Sequence, residues 1–232
     1  MNLVTVSGPP SSGKTSVILK TIEAVKKRGL KVGVVKFDCL YTDDDLLYEK
    51  AGVVVKKGLS GALCPDHFFV SNIEEVVQWG LKQDLDLLIS ESAGLCNRCS
   101  PYIKNIQAVC VIDNLSGINT PKKIGPMLKS ADIVIITKGD IVSQAEREVF
   151  ASRVNMVNPS SAILHVNGLN GQGAFELSTL LYDEKVHCKT LVGEKLRFSM
   201  PSALCSYCLG ETRIGESYQM GNVRKINMDD EK

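Results

Sequence analysis

The chain has 232 residues, 44% of them hydrophobic and 23% charged, which suits one α/β domain with a substantial core and a short appendage. Its net charge of +1 supplies no global basic field, so neither nucleic acid nor a membrane is expected as a partner. No apolar run reaches bilayer-spanning or signal-peptide length, so the cytoplasm is the expected compartment, where the eight cysteines read as thiols or metal ligands and not as disulfides.

The first element is the β-branched run Leu3-Val4-Thr5-Val6. It leads directly into Gly8-Pro9-Pro10-Ser11-Ser12-Gly13-Lys14-Thr15, which matches the phosphate-binding pattern G-x-x-x-x-G-K-[ST]. Val17, Ile18, Ile22 and Val25 continue at helical spacing up to a stop at Gly29. A strand over 31–37 closes on Asp38. A helix over 72–82 is expected to start from a capping box between Ser71 and Glu74, and a strand over 85–90 runs into Glu91-Ser92-Ala93-Gly94. Buried-type strands follow at 108–112 and 132–137, the second ending on Thr137-Lys138-Gly139-Asp140. A helix at 144–153, a strand at 162–166 and a helix at 174–182 complete the alternation. This rhythm predicts an α/β fold of the P-loop NTPase type, with a mainly parallel sheet flanked by helices. The hydrophobic periodicity fails after about residue 189, which divides the chain into a nucleotide-binding domain, 1–189, and a Cys-containing C-terminal extension, 190–232.

The chemistry expected at the strand ends follows from residue types. Backbone N–H groups of the loop, with Gly8, Ser11, Ser12, Gly13 and Ser16 at its turns, can surround phosphate oxygens. Lys14 can reach the β- and γ-phosphates, and the Thr15 hydroxyl can meet Mg²⁺. A carboxylate at Asp140 can accept both N–H groups on the guanine edge, with the Lys138 stem over the base and Thr137 at the strand end, which favours GTP over ATP. Glu91 can hold Mg²⁺ or its water, Gly94 can bring a backbone N–H to the γ-phosphate, and Asp38 can hold Mg²⁺ or orient the attacking water. Lys14, Asp38 and Glu91 are the candidate catalytic residues.

In this order along the chain, these residues resemble the nickel-insertion GTPases of the HypB/UreG type, within the SIMIBI class of P-loop proteins. Asp38 with Thr42-Asp43-Asp44 and Glu49-Lys50-Ala51-Gly52 is similar to a first switch, and Glu91-Ser92-Ala93-Gly94 to the second. Asp113-Asn114, Pro121-Lys122-Lys123, Asn158-Pro159 and 171–177 resemble later segments of that family. The usual first residue of the guanine motif is Asn, and Thr137 stands there instead. The resemblance implies a cytoplasmic GTPase with low intrinsic turnover that dimerises on nucleotide binding. It also implies delivery of a metal to a target apo-metalloenzyme or its maturation complex.

In such proteins a Cys and a His near the dimer face bind nickel or zinc. The corresponding stretch here is Cys64-Pro65-Asp66-His67, in which Asp66 displaces the histidine by one place. Two C-x-x-C pairs, Cys96 with Cys99 and Cys205 with Cys208, carry the spacing that grips one ion. Together they offer four thiolates for Zn²⁺, Ni²⁺ or an iron–sulfur cluster, either in one site or as half-sites across a dimer. Rival readings are an ATP- or GTP-dependent activator of an iron–sulfur or corrinoid protein, a small-molecule P-loop kinase, and a non-catalytic metal or redox sensor. The kinase would need an arginine-bearing lid, and no arginine-rich insertion is present.

Overall fold

Apolar runs without alternation, characteristic of strands covered on both faces, mark the strands in the middle of one sheet. In a computed structural model, described for residues 1–94, 96, 98–199 and 210–228, the chain order is as follows. Strand β1 (Asn2–Ser7) leads to α1 (Lys14–Lys27), β2 (Val32–Asp38), α2 (Asp44–Lys50), β3 (Val54–Leu59) and α3 (Pro65–Lys82). Then come β4 (Leu87–Ser92), β5 (Gln107–Asp113), the single turns α4 (Thr120–Lys123) and α5 (Pro126–Lys129), and β6 (Ile133–Thr137). Helix α6 (Gln144–Val157), β7 (Ala162–His165) and α7 (Ala174–Leu180) follow. The sheet has seven strands in the order β3-β2-β4-β1-β5-β6-β7, with every pairing parallel. β1, β4 and β6 are buried throughout, whereas the edge strands β3 and β7 are partly exposed.

Strand alternation divides the core between the two faces. Val4, Val6, Val34, Leu87, Ile89 and Val111 point to the side covered by Val17, Ile22 and Val25 of α1 and Leu177 of α7. Leu3, Val35, Phe37 and Leu88 point the other way, onto Phe69, Ile73, Val76 and Val77 of α3. Phe37 meets the rings of Phe68 and Phe69 edge-on at 5.9 and 5.0 Å. Farther along that face, Cys110, Ile112, Val134 and Ile136 pack with Tyr102, Met127, Phe150 and Val154. The reversal of strand order around β1 leaves a crevice at the carboxyl ends of β1, β2, β4 and β6, where ligands of such sheets bind.

Two local expectations are corrected and two elements are added. The helix expected at 72–82 begins at Pro65, so Ser71 lies within it and donates its hydroxyl to the His67 carbonyl at 2.8 Å. Proline at the first helical position, after Cys64 at the cap, starts the helix instead. Glu74 reaches the extension, accepting from the Thr190 hydroxyl at 3.0 Å and the Leu191 N–H at 2.6 Å. α2 and β3 were not read as elements. α2 is seven residues long and β3 is an edge strand, so neither carries a long periodic signal. A capping box does exist, between Ser143 and Glu146 at the start of α6.

The described residues after 189 pack against the nucleotide-binding layer despite their poor periodicity. Leu191, Leu196 and Ile214 enter the α3 cluster. The Arg197 guanidinium grips Asp132 with two nitrogens at 2.7 and 2.6 Å and donates to the Ile103, Ile106 and Ser130 carbonyls. Cys205 and Cys208 lie outside the described residues. Among the described residues, no helix is long and apolar enough to cross a membrane.

Candidate functional site

The loop 8–15 joins the buried end of β1 to the first turn of α1. Gly13 takes the left-handed conformation (φ 90°) at the helix cap, which turns the N-terminal N–H groups of α1 toward the crevice. The buried Lys14 ammonium donates to the Gly8 and Pro9 carbonyls, both at 2.9 Å. Desolvation pulls its pKa down to about 8, with Lys36 acting in the same direction and Glu91 opposing it.

This depression predicts a pH dependence. Below about pH 8 the free protein carries charged Lys14, and above it the proton is lost. A bound polyphosphate favours the charged form, so binding above pH 8 takes up a proton and weakens by up to about tenfold per pH unit. Calorimetry at pH 9 in two buffers of different ionisation enthalpy should show that uptake. Zero uptake there would mean that Lys14 does not meet the phosphates.

The carboxyl ends of β2 and β4 and the start of α2 bring three carboxylates around one ammonium. Glu91, fully buried, accepts from Lys36 Nζ at 2.7 Å and Thr15 Oγ1 at 2.9 Å on one oxygen, and from the Tyr48 hydroxyl at 2.6 Å on the other. Asp44 takes the Lys36 ammonium at 2.6 Å and lies 3.0 Å from the same Thr15 hydroxyl. Asp38 stands 3.8 Å from Lys36. Burial opposes the charge on Lys36, but Glu91 and Asp44 outweigh it and hold its pKa above the ordinary value. A hydroxyl and three carboxylates form the hard-oxygen donor set that Mg²⁺ takes, and the Lys36 ammonium among them marks the place as built for a cation. Thr15, Glu91, Asp38 and Asp44 would hold the ion. Sequence reasoning named Thr15, Asp38 and Glu91 but missed Lys36, Asp44 and Tyr48 as members. The signal for Asp44 was its place in the Asp-rich start of α2, where one carboxylate of three meets Lys36.

The 91–94 segment touches the phosphate loop directly. Gly94 has φ 64°, and a Cβ there would lie 1.9 Å from the Gly8 carbonyl oxygen, so only glycine allows this contact. A cleft of about 400 Å³ is lined by Ser11, Gly13, Lys14, Thr15, Asp38 and Glu91, among others. Gly13 and Ser16 also line a second hollow of about 190 Å³ with Thr137, Lys138, Asp140 and the 167–169 loop. Thr137 Oγ1 donates to the Ser12 carbonyl at 2.6 Å, tying the β6 end to the phosphate loop. Lys138 (φ 56°) lays its stem over the loop and donates to the Ser11 carbonyl at 2.7 Å. Asp140 is exposed at the rim. Asn167, Gly168 and Leu169 complete the hollow and were not foreseen. Their one signal was a polar Asn-Gly turn after a strand.

The cysteines sort differently from expectation. Cys96 and Cys99 meet, with sulfurs 3.8 Å apart, and gather with Asp66. Cys64 caps α3 and His67 lies in its first turn, but the His67 Nε2 pairs with Glu211 and the pair joins no such group among the described residues. Burial pushes the Asp66 carboxyl up to about 7.

A phosphate loop feeding a helix, a cation cluster across the next strand ends and a base-sized hollow beside them define a P-loop nucleotide-binding protein of the α/β class. Residues 2–165 match the family described as CobW/HypB/UreG, nucleotide-binding domain, and the chain belongs to that family. It is 52% identical to the uncharacterized protein MJ0120 of Methanocaldococcus jannaschii, over 98% of this chain and 97% of that one. It is 30% identical to the urease accessory protein UreG of Yersinia enterocolitica serotype O:8, over 76% and 86%. Among solved structures, hydrogenase maturation factor HypB of Archaeoglobus fulgidus shares the fold, with a TM-score of 0.62 and 21% identity over 78% and 88%. HypB of Helicobacter pylori in complex with nickel does so at 0.62 and 20% over 81% and 92%.

Proposed function

We propose that this chain is a GTP-hydrolysing maturation factor that couples nucleotide turnover to delivery of a metal ion to a target metalloenzyme or its maturation complex. A homodimer closed by nucleotide is the working form. The observation that carries the reading is the joint between site and switch. Thr15 of the phosphate loop is bonded to Glu91, and three residues farther on Gly94 sits against Gly8. Relatives named urease accessory protein and hydrogenase maturation factor, one of them solved with nickel, support metal as the cargo.

In the proposed reaction water attacks the γ-phosphate and GDP leaves. Lys14 exchanges its two carbonyl partners for phosphate oxygens and carries part of their charge. Thr15, Glu91, Asp38 and Asp44 would hold Mg²⁺, which would supply neutralisation of the developing phosphate charge. Asp38, at the end of β2 and on the ion's side of the cleft, also positions the water. The N–H groups at the start of α1 hold the phosphates without reorganising.

Base choice tests the reading. Asp140 accepts from the two guanine N–H groups, and Asp140→Asn replaces one acceptor with a donor. GTP affinity is expected to fall at least about 10²-fold, and affinity for xanthosine triphosphate to rise. Equal wild-type affinity for ATP and GTP, measured with fluorescent analogues, would overturn guanine recognition. Absence of phosphate release with GTP and Mg²⁺ in the presence of Zn²⁺ or Ni²⁺ would overturn the hydrolytic role.

A further inference from the structure

Asp66 is the second residue of α3 and is 1% exposed, yet neither carboxylate oxygen has a hydrogen-bond partner among the described residues. A carboxylate taken out of water without a partner has to acquire a proton or a cation. The groups that face it are the sulfurs of Cys96 and Cys99, and all three ligand atoms lie within 4.8 Å of one another. Cys99 is itself 1% exposed. The two sulfurs stand 3.8 Å apart. Sulfurs bound to one tetrahedral ion at about 2.3 Å are separated by about 3.8 Å. Paired in a disulfide they would stand at about 2.05 Å.

We infer that Asp66, Cys96 and Cys99 form a three-ligand site for a borderline divalent ion of the zinc class, with no fourth ligand among the described residues. Two thiolates select such an ion over Mg²⁺ or Ca²⁺, and the carboxylate supplies the third donor. Four protein ligands would close a structural site, whereas three leave room for exchange with an incoming ligand. That is the arrangement a delivered ion requires. The inference rests on the metal-delivery half of the proposed function and not on hydrolysis. It also gives the extra residue in Cys64-Pro65-Asp66-His67 a role. The inserted aspartate reaches the C-x-x-C, while His67 is engaged by Glu211. Cys96 lies two residues beyond Gly94, so a displacement of Gly94 from Gly8 would be felt at the sulfurs.

Zinc-edge X-ray absorption of the full reduced chain, loaded with one equivalent of Zn²⁺, counts the sulfur neighbours without any variant. Two sulfurs completed by oxygen or nitrogen are expected, and any other sulfur count overturns the site. In competition with a chromophoric chelator, Asp66→Asn should weaken Zn²⁺ binding at least about tenfold, since even outer-shell partners of metal ligands are worth that much. Unchanged affinity in that variant overturns the carboxylate's part. Cys96→Ser, at a half-buried position, should weaken binding at least as much and serves if Asp66→Asn does not fold. A chain that hydrolyses GTP but takes up no stoichiometric Zn²⁺ overturns this site alone. A chain that binds Zn²⁺ as described without hydrolysing GTP overturns the hydrolytic role alone.

Discussion

Glu91→Gln is expected to slow GTP turnover about 10²- to 10³-fold, the order of the loss when one preorganised electrostatic group is removed from an active site. The substitution keeps the shape and the capacity to accept from Lys36 or Thr15, so the fold should survive. What it removes is a negative charge fully enclosed at the end of β4, bonded at once to Thr15, Lys36 and Tyr48. Nucleotide affinity should change far less than turnover, because the phosphates are held by Lys14 and the N–H groups of α1. Single-turnover phosphate release at saturating GTP and Mg²⁺ separates the two. Turnover within threefold of wild type would remove Glu91 from the chemistry, and a collapse of affinity at unchanged turnover would make it a binding residue only.

Lys36→Met is expected to destabilise the protein without nucleotide by ~3–5 kcal/mol, the range for breaking a buried ion pair from one side. In a chain of this size that corresponds to a melting point roughly 10 °C lower. Lys36 is 3% exposed and is the cation nearest Glu91 and Asp44, so methionine fills its volume but leaves those carboxylates facing each other. Mg²⁺ with GDP should restore much of the loss, because a cation then returns to the same oxygens. Thermal unfolding with and without Mg²⁺ and GDP measures both effects. A melting point within 2 °C of wild type in the absence of ligand, as an order-of-magnitude bound, would mean that the carboxylates do not depend on Lys36.

The P-loop, Glu91, Gly94 and the Thr137–Asp140 turn were legible because each is a contiguous pattern whose spacing serves a local mechanical need. The long buried strands were legible for the same reason, as continuous apolar runs need no partner to be recognised. Lys36 was not. It sits in a strand run as a single polar residue, and nothing near it in the chain says that Glu91, 55 positions away, will be its partner. The start of α3 was misplaced because Pro65 was read within a candidate ligand loop, and because Ser71 and Glu74 mimic a cap although both point elsewhere.

What the sequence by itself determined is the alternation of the longer strands and helices, the phosphate loop and the two cysteine pairs, all of them set by short-range propensity and spacing. Only the tertiary structure decided which of these residues meet. The parallel sheet brings the ends of β1, β2 and β4 side by side, and so turns separated carboxylates into one cation site. The packing of α3 carries Asp66 to Cys96 and Cys99 and leaves Cys64 at the helix cap. Long-range contacts of this kind depend on register and burial, which are properties of the packed chain and are carried by no segment of it alone.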